Sequence, residues 1–374
     1  MPTLRLPQIP DRPKIPAVKM DPKVFQKKLL DWYRDHARDL PWRRTKDPYK
    51  IWVSEIMLQQ TQVETVIPYY TRWVGRFPTL RSLAEANLSE VMKHWAGLGY
   101  YRRARMLHEA AKTVLKTPSA RIPREVEALL ELPGIGRYTA GAISSIAFNQ
   151  KTPILDGNVI RILTRLFAIP SDIQNAKTLK KLWRLSESML PDENPGDFNQ
   201  AMMEVGATVC LPENPRCEAC PIRIFCTAHR QHCETAYPVK KNKGRLEKTH
   251  TFALVMHRNG KVLVKQQPPE GRWGGLWMFP HWTNKASLLE ELKKYGVKNL
   301  SSPKLRPKWV IHHGFTKYRV RLEVYEATQL QEEKTRSPGS GFRRRSCWVK
   351  PGNLTRLAFP SPHQKIVRSL IQGS

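Results

Sequence analysis

The sequence predicts a chain of two folded parts, an all-helical region of about two hundred residues followed by a mixed α and β domain. Three observations carry that expectation. Apolar residues recur every three to four positions from Asp21 to about residue 209, the period drops to two from Thr249, and 374 residues are enough to bury more than one core. Lys and Arg total 63 against 32 Asp and Glu, a net charge of +31 spread over both halves. That excess goes far beyond what solubility needs and marks a partner that is a polyanion. With 40% of residues hydrophobic, a charged disordered tail does not account for it. No apolar run approaches the ~20 residues of a bilayer-spanning helix, so we expect a soluble, cytoplasmic monomer that does not engage membranes.

Element by element, residues 1–20 are Pro-rich and lack an apolar signal core, which predicts a disordered arm with no organelle-targeting role. Asp21-Pro22 is an N-cap followed by proline at the first helical position, and Phe25, Leu29, Leu30 and Trp32 give the stripe behind it. Further amphipathic runs cover 50–76, 88–96, 101–116, 124–131, 137–148, 157–168, 176–189 and 197–209. We therefore expect a helical domain over 21–209, a cysteine loop over 210–226 and a linker over 227–248, least structured from Tyr237 to Gly244. In the last domain, 249–374, two β-rich runs flank Asn259-Gly260, a type I′ hairpin signal. A strand is expected at Lys317–Glu326, short helices near Ser287–Tyr295 and Ser361–Ile371, and an exposed loop at QEEKTRSPGSGFRRRS.

Cys210, Cys217, Cys220 and Cys226 form C-x6-C-x2-C-x5-C, close enough to wrap one soft metal centre. A single compact run favours iron–sulfur over zinc, whose ribbons pair two distant C-x2-C units. Cys233 and Cys347 fall outside that spacing and read as free thiols. LPGIGRYTAG, Leu132–Gly141, places two glycines before a helix. It is neither a Walker A loop nor a dinucleotide fingerprint. Gly134 and Gly136 let the backbone approach a ligand, and free amides at the helix start favour an anion. Asp156 opens an amphipathic helix, while Glu55 sits between Ile51 and Leu58 at helical spacing, where burial would raise its pKa toward neutrality.

Together the cysteine spacing, the LPGIG hairpin and PILDGNV resemble the MutY family of adenine-specific mismatch DNA glycosylases, in the helix-hairpin-helix superfamily that also contains endonuclease III. The likeness runs from about Asp21 to the end. It implies a four-iron four-sulfur (4Fe-4S) cluster on the four cysteines, a hairpin at 124–148 that grips a DNA phosphate, and a DNA-binding loop carrying Arg216 and Arg223. Asp156 matches the superfamily's essential aspartate, with Asn158 as its hydrogen-bonding neighbour, and Glu55 matches the glutamate that protonates adenine N7. Tyr138 stands where endonuclease III-like enzymes carry a Schiff-base lysine. No lysine lies between Glu131 and Gln150, so the resemblance implies a monofunctional glycosylase.

A flipped base needs a pocket, for which Arg38, Leu40, Trp42, Arg43, Leu58, Tyr138, Gln200 and Glu204 are the candidates. Gln60 and Tyr100 match family positions that wedge into the duplex, and Arg102, Arg103 and Arg105 are candidates for phosphates. GRWGGLWMFP resembles the Nudix-like domain with which the family reads the base opposite adenine. Aligned on Gly296, Lys293 and Lys294 replace the glutamates that hold Mg²⁺, which predicts no nucleotide hydrolysis. In HHGFTKYRV, Phe315 matches a wedge, Thr316 a hydrogen bond to a modified purine, and Lys317 replaces the family histidine with a phosphate contact. The substrate implied is duplex DNA holding adenine opposite 8-oxoguanine or guanine, met on a bacterial nucleoid. The alternatives are a thymine-mismatch or endonuclease III-like glycosylase, or a non-catalytic iron–sulfur DNA-binding protein.

Overall fold

The computed structural model describes residues 20–241, 246–268, 270–271, 273–294, 306–315, 317–327 and 346–372. Its contacts divide the chain into two compact units, one of the described residues in 1–74 and 110–243, the other of those in 75–109 and 244–374. The arm before Met20, residues 331–345 of the basic loop, Gly296 and Thr316 lie outside the described residues.

In chain order the helices are α1 (Pro22–His36), α2 (Pro48–Leu58), α3 (Val63–Arg76), α4 (Leu80–Ala84), α5 (Leu88–Trp95), α6 (Arg102–Leu115), α7 (Val126–Leu130), α8 (Arg137–Phe148), α9 (Gly157–Leu166), α10 (Ala176–Ser188), α11 (Pro195–Thr208) and α12 (Thr227–Arg230). The run expected as one helix over 50–76 is two, α2 and α3. The chain turns at Gln60 with a left-handed φ of 56°, where Gln59-Gln60-Thr61 offers no apolar stripe to bury. In α1 the Asp21 carboxylate accepts from the Lys23 amide and Pro22 sits in the first turn, while Phe25, Leu29 and Tyr33 face inward. Phe25 packs on Phe198 of α11 and on Phe225 of the cysteine loop, with ring centroids 6.2 and 5.6 Å away. The core around them takes Ile162, Leu163 and Leu166 from α9 and Leu182 from α10.

Three of these helices meet almost at backbone contact. A Cβ added at Gly196 of α11 would lie 2.3 Å from the Ser145 carbonyl oxygen of α8, and one added at Gly206 would lie 2.5 Å from Cβ of Asn158 on α9. The described part of the connector up to residue 241 is tied to the helical core. Tyr237 is buried and its carbonyl accepts from Arg165 Nε, and the Val239 carbonyl accepts from the Ile173 amide at 3.1 Å. Apolar Tyr237 finding a place in the core is what outweighs the polar, basic run around it.

The second unit adds β1 (Glu247–Arg258), β2 (Lys261–Gln266), β3 (Trp277–Met278), β4 (His281–Trp282), α13 (Lys285–Lys294), β5 (Trp309–Phe315), β6 (Tyr318–Ala327), β7 (Ser346–Val349) and α14 (Ser361–Gln372). The sheet order is β3-β2-β1-β6-β5, with β4 paired to β1 and β7 to β2. β1 runs parallel to β6 from Glu247↔Tyr318 to Met256↔Ala327, and β5 closes antiparallel on β6. Asn259 and Gly260, with φ of 49° and 68°, make the expected β1–β2 turn. The run FALVM in β1 is apolar at every position because both faces are covered. Ala253 and Val255 meet Ile366 and Leu370 of α14, and Phe252, Leu254 and Met256 meet Leu288 and Leu292 of α13.

Candidate active site

The first unit holds a cavity of about 520 Å³ built by five helices, α2, α3, α8, α9 and α11, and the segment after α1. α2 is buried without a break from Ile51 to Met57, so the one carboxylate in WVSEIM is carried into the interior. Glu55 is 5% exposed, and the Tyr138 hydroxyl of α8 donates to its Oε2 at 2.6 Å. Burial pushes the Glu55 carboxyl up to about 7, helped by the Asp156 charge and opposed by the Tyr138 hydrogen bond and Arg43. Asp156 caps α9. Its Oδ1 accepts from the Val159 amide at 2.7 Å and its Oδ2 from Asn158 Nδ2 at 2.9 Å. Burial raises its carboxyl too, with those hydrogen bonds holding it back.

Across the cavity Glu204 of α11 is fully covered and doubly paired. Arg38 donates to Oε1 and Oε2 at 2.7 and 2.9 Å, and Arg43 donates to Oε2 at 2.8 Å. Burial alone would raise this carboxyl, but the two guanidinium groups bring it down to about 2. Leu40, Trp42, Leu58, Gln60 and Gln200 line the same cavity, so every residue we expected in the pocket is at its wall. Gln59, Thr61, Val63, Leu155, Met203 and Ala207 also line it. Met203 and Ala207 lie on the face of α11 that carries Gln200 and Glu204, at spacings of three to four, and that periodicity was the only signal for them.

The other candidates lie outside the cavity. Gly134 needs its glycine for backbone reasons, with φ of 78°. Gly136 does not. It has extended backbone, a Cβ there would meet nothing within 4 Å, and no side chain caps the α8 start that it opens. Beside it Arg137 stacks over the Trp183 ring at 3.9 Å. In the second unit Tyr100 is 41% exposed at a φ of 46°. The expectation that Arg103 and Arg105 hold phosphates is corrected. Arg103 lies over the Trp95 and Tyr100 rings and donates to the Gly99 carbonyl, while Arg105 donates to the Gly271 and Gly274 carbonyls. Local composition reads Arg105 as basic surface, because the carbonyls that bind it come from 166–169 positions away. Lys317 is paired with Glu247 at 2.5 Å, and Phe315 packs on Tyr318. Thr316 is outside the described residues, as is Gly296. Lys293 sits exposed on α13.

Cys210, Cys217, Cys220 and Cys226 line one small cavity with Arg165, Arg216, Arg223, His229 and Glu234. Four sulfurs converging in one loop are the donor set of a soft metal centre, so the residues fit the group that the spacing implies. Donor atoms of Cys217, His229 and Glu234 lie within 4.8 Å of one another, a grouping that the cysteine spacing did not reveal. α9 joins this loop to the Asp156 cap. Arg161 donates to the Cys210 carbonyl at 2.6 Å, to Asn158 Oδ1 at 2.8 Å and to the Gly206 carbonyl at 2.6 Å. One turn on, Arg165 donates to Cys210 Sγ at 3.3 Å and to the Leu211 and Pro212 carbonyls.

The known proteins that this chain resembles agree with the geometry. A family model described as HhH-GPD superfamily base excision DNA repair protein matches residues 53–188, and one described as NUDIX domain matches 251–369. An adenine DNA glycosylase of Rattus norvegicus is 38% identical, the match covering 93% of this chain and 78% of that protein. One from Buchnera aphidicola subsp. Schizaphis graminum is 35% identical over 92% of this chain and 98% of its own. Among solved structures, a thermostable thymine-DNA glycosylase superposes with a TM-score of 0.52 at 32% identity, covering 56% of this chain and 97% of its own. No helix among the described residues is long and apolar enough to cross a membrane.

Proposed function

The chain belongs to the adenine DNA glycosylase family, and on that premise we propose that it hydrolyses the N-glycosidic bond of adenine mispaired with 8-oxoguanine or guanine in duplex DNA. The single observation that carries the chemistry is the cavity in which a carboxyl at about 7 sits with a second, capped carboxylate. Adenine leaves poorly as an anion. Glu55, half protonated at neutral pH, gives its proton to the departing base, and Tyr138 fixes the carboxyl's orientation through Oε2. Positive charge builds on the deoxyribose as the bond opens, and the Asp156 carboxylate stabilises it electrostatically or as a transient nucleophile. The hydrogen bonds to Asp156 keep it the more readily ionised of the pair, so the two carboxyls divide the acid and the stabilising roles.

No lysine is among the described residues lining the cavity, which supports base removal without an imine and a monofunctional enzyme. The base reaches the cavity by flipping out of the stack. Arg38 and Arg43 share the one Glu204 carboxylate, which offsets one of their two positive charges and fixes both side chains in its wall. Open backbone at Gly136 and the uncapped start of α8 leave room for a DNA phosphate. Gln60 and Tyr100 wedge into the duplex, and the tip at Phe315–Lys317 reads the base opposite adenine. Cys210, Cys217, Cys220 and Cys226 would hold a four-iron four-sulfur cluster, whose contribution when bound is to cross-link the loop that Arg161 and Arg165 tie to α9. The protein acts as a monomer on nucleoid DNA.

A second reading, thymine removal, is favoured by the likeness of the helical part to a thymine-DNA glycosylase. One experiment separates the two. Single-turnover base release is measured from duplexes with A opposite 8-oxoguanine, A opposite G and T opposite G, with wild type, Asp156→Asn and Glu55→Gln. Release of adenine that both substitutions abolish is expected. Release of thymine instead, or tight binding with no release, would overturn the proposal.

A further inference from the structure

Resting on the reading that Tyr100 wedges and that the tip around Phe315 senses the base opposite adenine, we propose that Arg105 is a positioning residue that ties these two tips into one rigid piece. Tyr100 precedes α6, and Arg105 lies five residues further on that helix. Its Nη1 donates to the Gly274 carbonyl at 2.8 Å and its Nη2 to the Gly271 carbonyl at 3.0 Å. A planar guanidinium bridging two carbonyls sets orientation as well as distance, which a single ammonium does not.

The loop gripped in this way carries Trp273. Its ring meets His281, His363 and His313 at centroid distances of 5.8, 6.2 and 6.5 Å. His313 in turn lies against Phe315 at 6.1 Å and Phe315 against Tyr318 at 5.0 Å. The ladder therefore runs from Arg105 through Trp273 and His313 to the tip. Burial holds His281 at about 4 and His363 well below the usual imidazole range, so those two rungs are uncharged at neutral pH and pack without repulsion.

The Tyr100 end is fastened by a second set of contacts. The Gly97 amide donates to the Tyr101 hydroxyl at 3.2 Å, that hydroxyl donates to the Phe359 carbonyl at 3.3 Å, and the Ser361 hydroxyl donates to the Gly97 carbonyl at 3.4 Å. Arg103 backs the Tyr100 ring from 5.3 Å. A wedge and a reading tip mounted on one frame respond together to the base opposite adenine, so recognition by one sets the pose of the other.

The test is the ratio of single-turnover adenine release opposite 8-oxoguanine to that opposite guanine, with thermal midpoints measured alongside. Arg105→Ala is expected to lower release opposite 8-oxoguanine by on the order of tenfold to a hundredfold, as misplacement of about an ångström does, and release opposite guanine by much less. Arg105→Lys should recover part of the ratio. Trp273→Phe, which keeps an aromatic ring while shortening the ladder, should shift the ratio in the same direction. If Arg105→Ala and Trp273→Phe lower the midpoint or both rates equally and leave the ratio unchanged, the residues are merely structural and the inference is overturned. A wild-type ratio near one, or a ratio that Phe315→Ala and Tyr100→Ala leave untouched, would instead overturn the reading on which the inference rests.

Discussion

Glu55 and Glu204 are the same residue type driven in opposite directions by their surroundings. At about 7, the Glu55 carboxyl is protonated below neutrality and loses its proton above it. Single-turnover adenine release should therefore fall roughly tenfold per pH unit above about 7, a limb that Glu55→Gln removes along with most of the rate. On the acid side the proposed mechanism uses Asp156 ionised. Burial raises its carboxyl, so the acid limb should lie above the ordinary carboxylate range. Glu204 has the reverse linkage. Its folded carboxyl is lowered to about 2 from an ordinary 4.5, so its contribution to stability is complete above about 4.5 and lost as pH falls toward 2. Urea unfolding should show Glu204→Gln costing about 3 kcal/mol at pH 7, because Arg38 and Arg43 then face the cavity unpaired, and clearly less at pH 3. Glu55 and Asp156 could be picked out from the sequence because short motifs surround them. Met203 and Thr61, neither charged nor set in a motif, could not.

Among the elements, α9 has the most depends on it: Asp156 at its cap, Asn158 in its first turn, and Arg161 and Arg165 reaching the cysteine loop. Gly206→Ala puts a methyl group into Asn158 and should cost about 1–3 kcal/mol in stability. Adenine release should fall further than stability, since Asn158 donates to Asp156, and DNA affinity should be largely kept. Equal binding and release defects in a gel-shift and single-turnover pair would refute that. The elements themselves were legible wherever an apolar stripe sustained its period, as in α1, α9 and α10. The break at Gln60 was missed: the polar run Gln59-Gln60-Thr61 marks it, but apolar residues resume directly after it at Val63 and Val66. The two-sided burial of β1 was visible in FALVM, but its parallel partner β6 comes from seventy residues on, and register of that kind leaves no local trace.

For the whole molecule, a net charge of +31 makes the phosphate backbone the main source of affinity. Binding to undamaged duplex should weaken by about 10³–10⁵ between 50 and 200 mM salt if six to ten phosphates are neutralised, read as a linear log–log slope. The ratio of rates opposite 8-oxoguanine and guanine should change little over the same range, since hydrogen bonds and stacking rather than counterions set it. The order of helical part, cysteine loop and mixed sheet could be read from period and composition. That residues 75–109 pack with the C-terminal half could not, since it depends on contacts such as Tyr101 to Phe359 across 258 positions. The near backbone contact among α8, α9 and α11 bears on descent as well as on stability. The helices that carry Tyr138, Asp156 and Glu204 have no slack in their spacing for selection to use. A lineage that retargets this frame to another base does it by exchanging wall side chains such as Leu58, Met203 and Ala207, and it inherits the spacing of the helices unchanged.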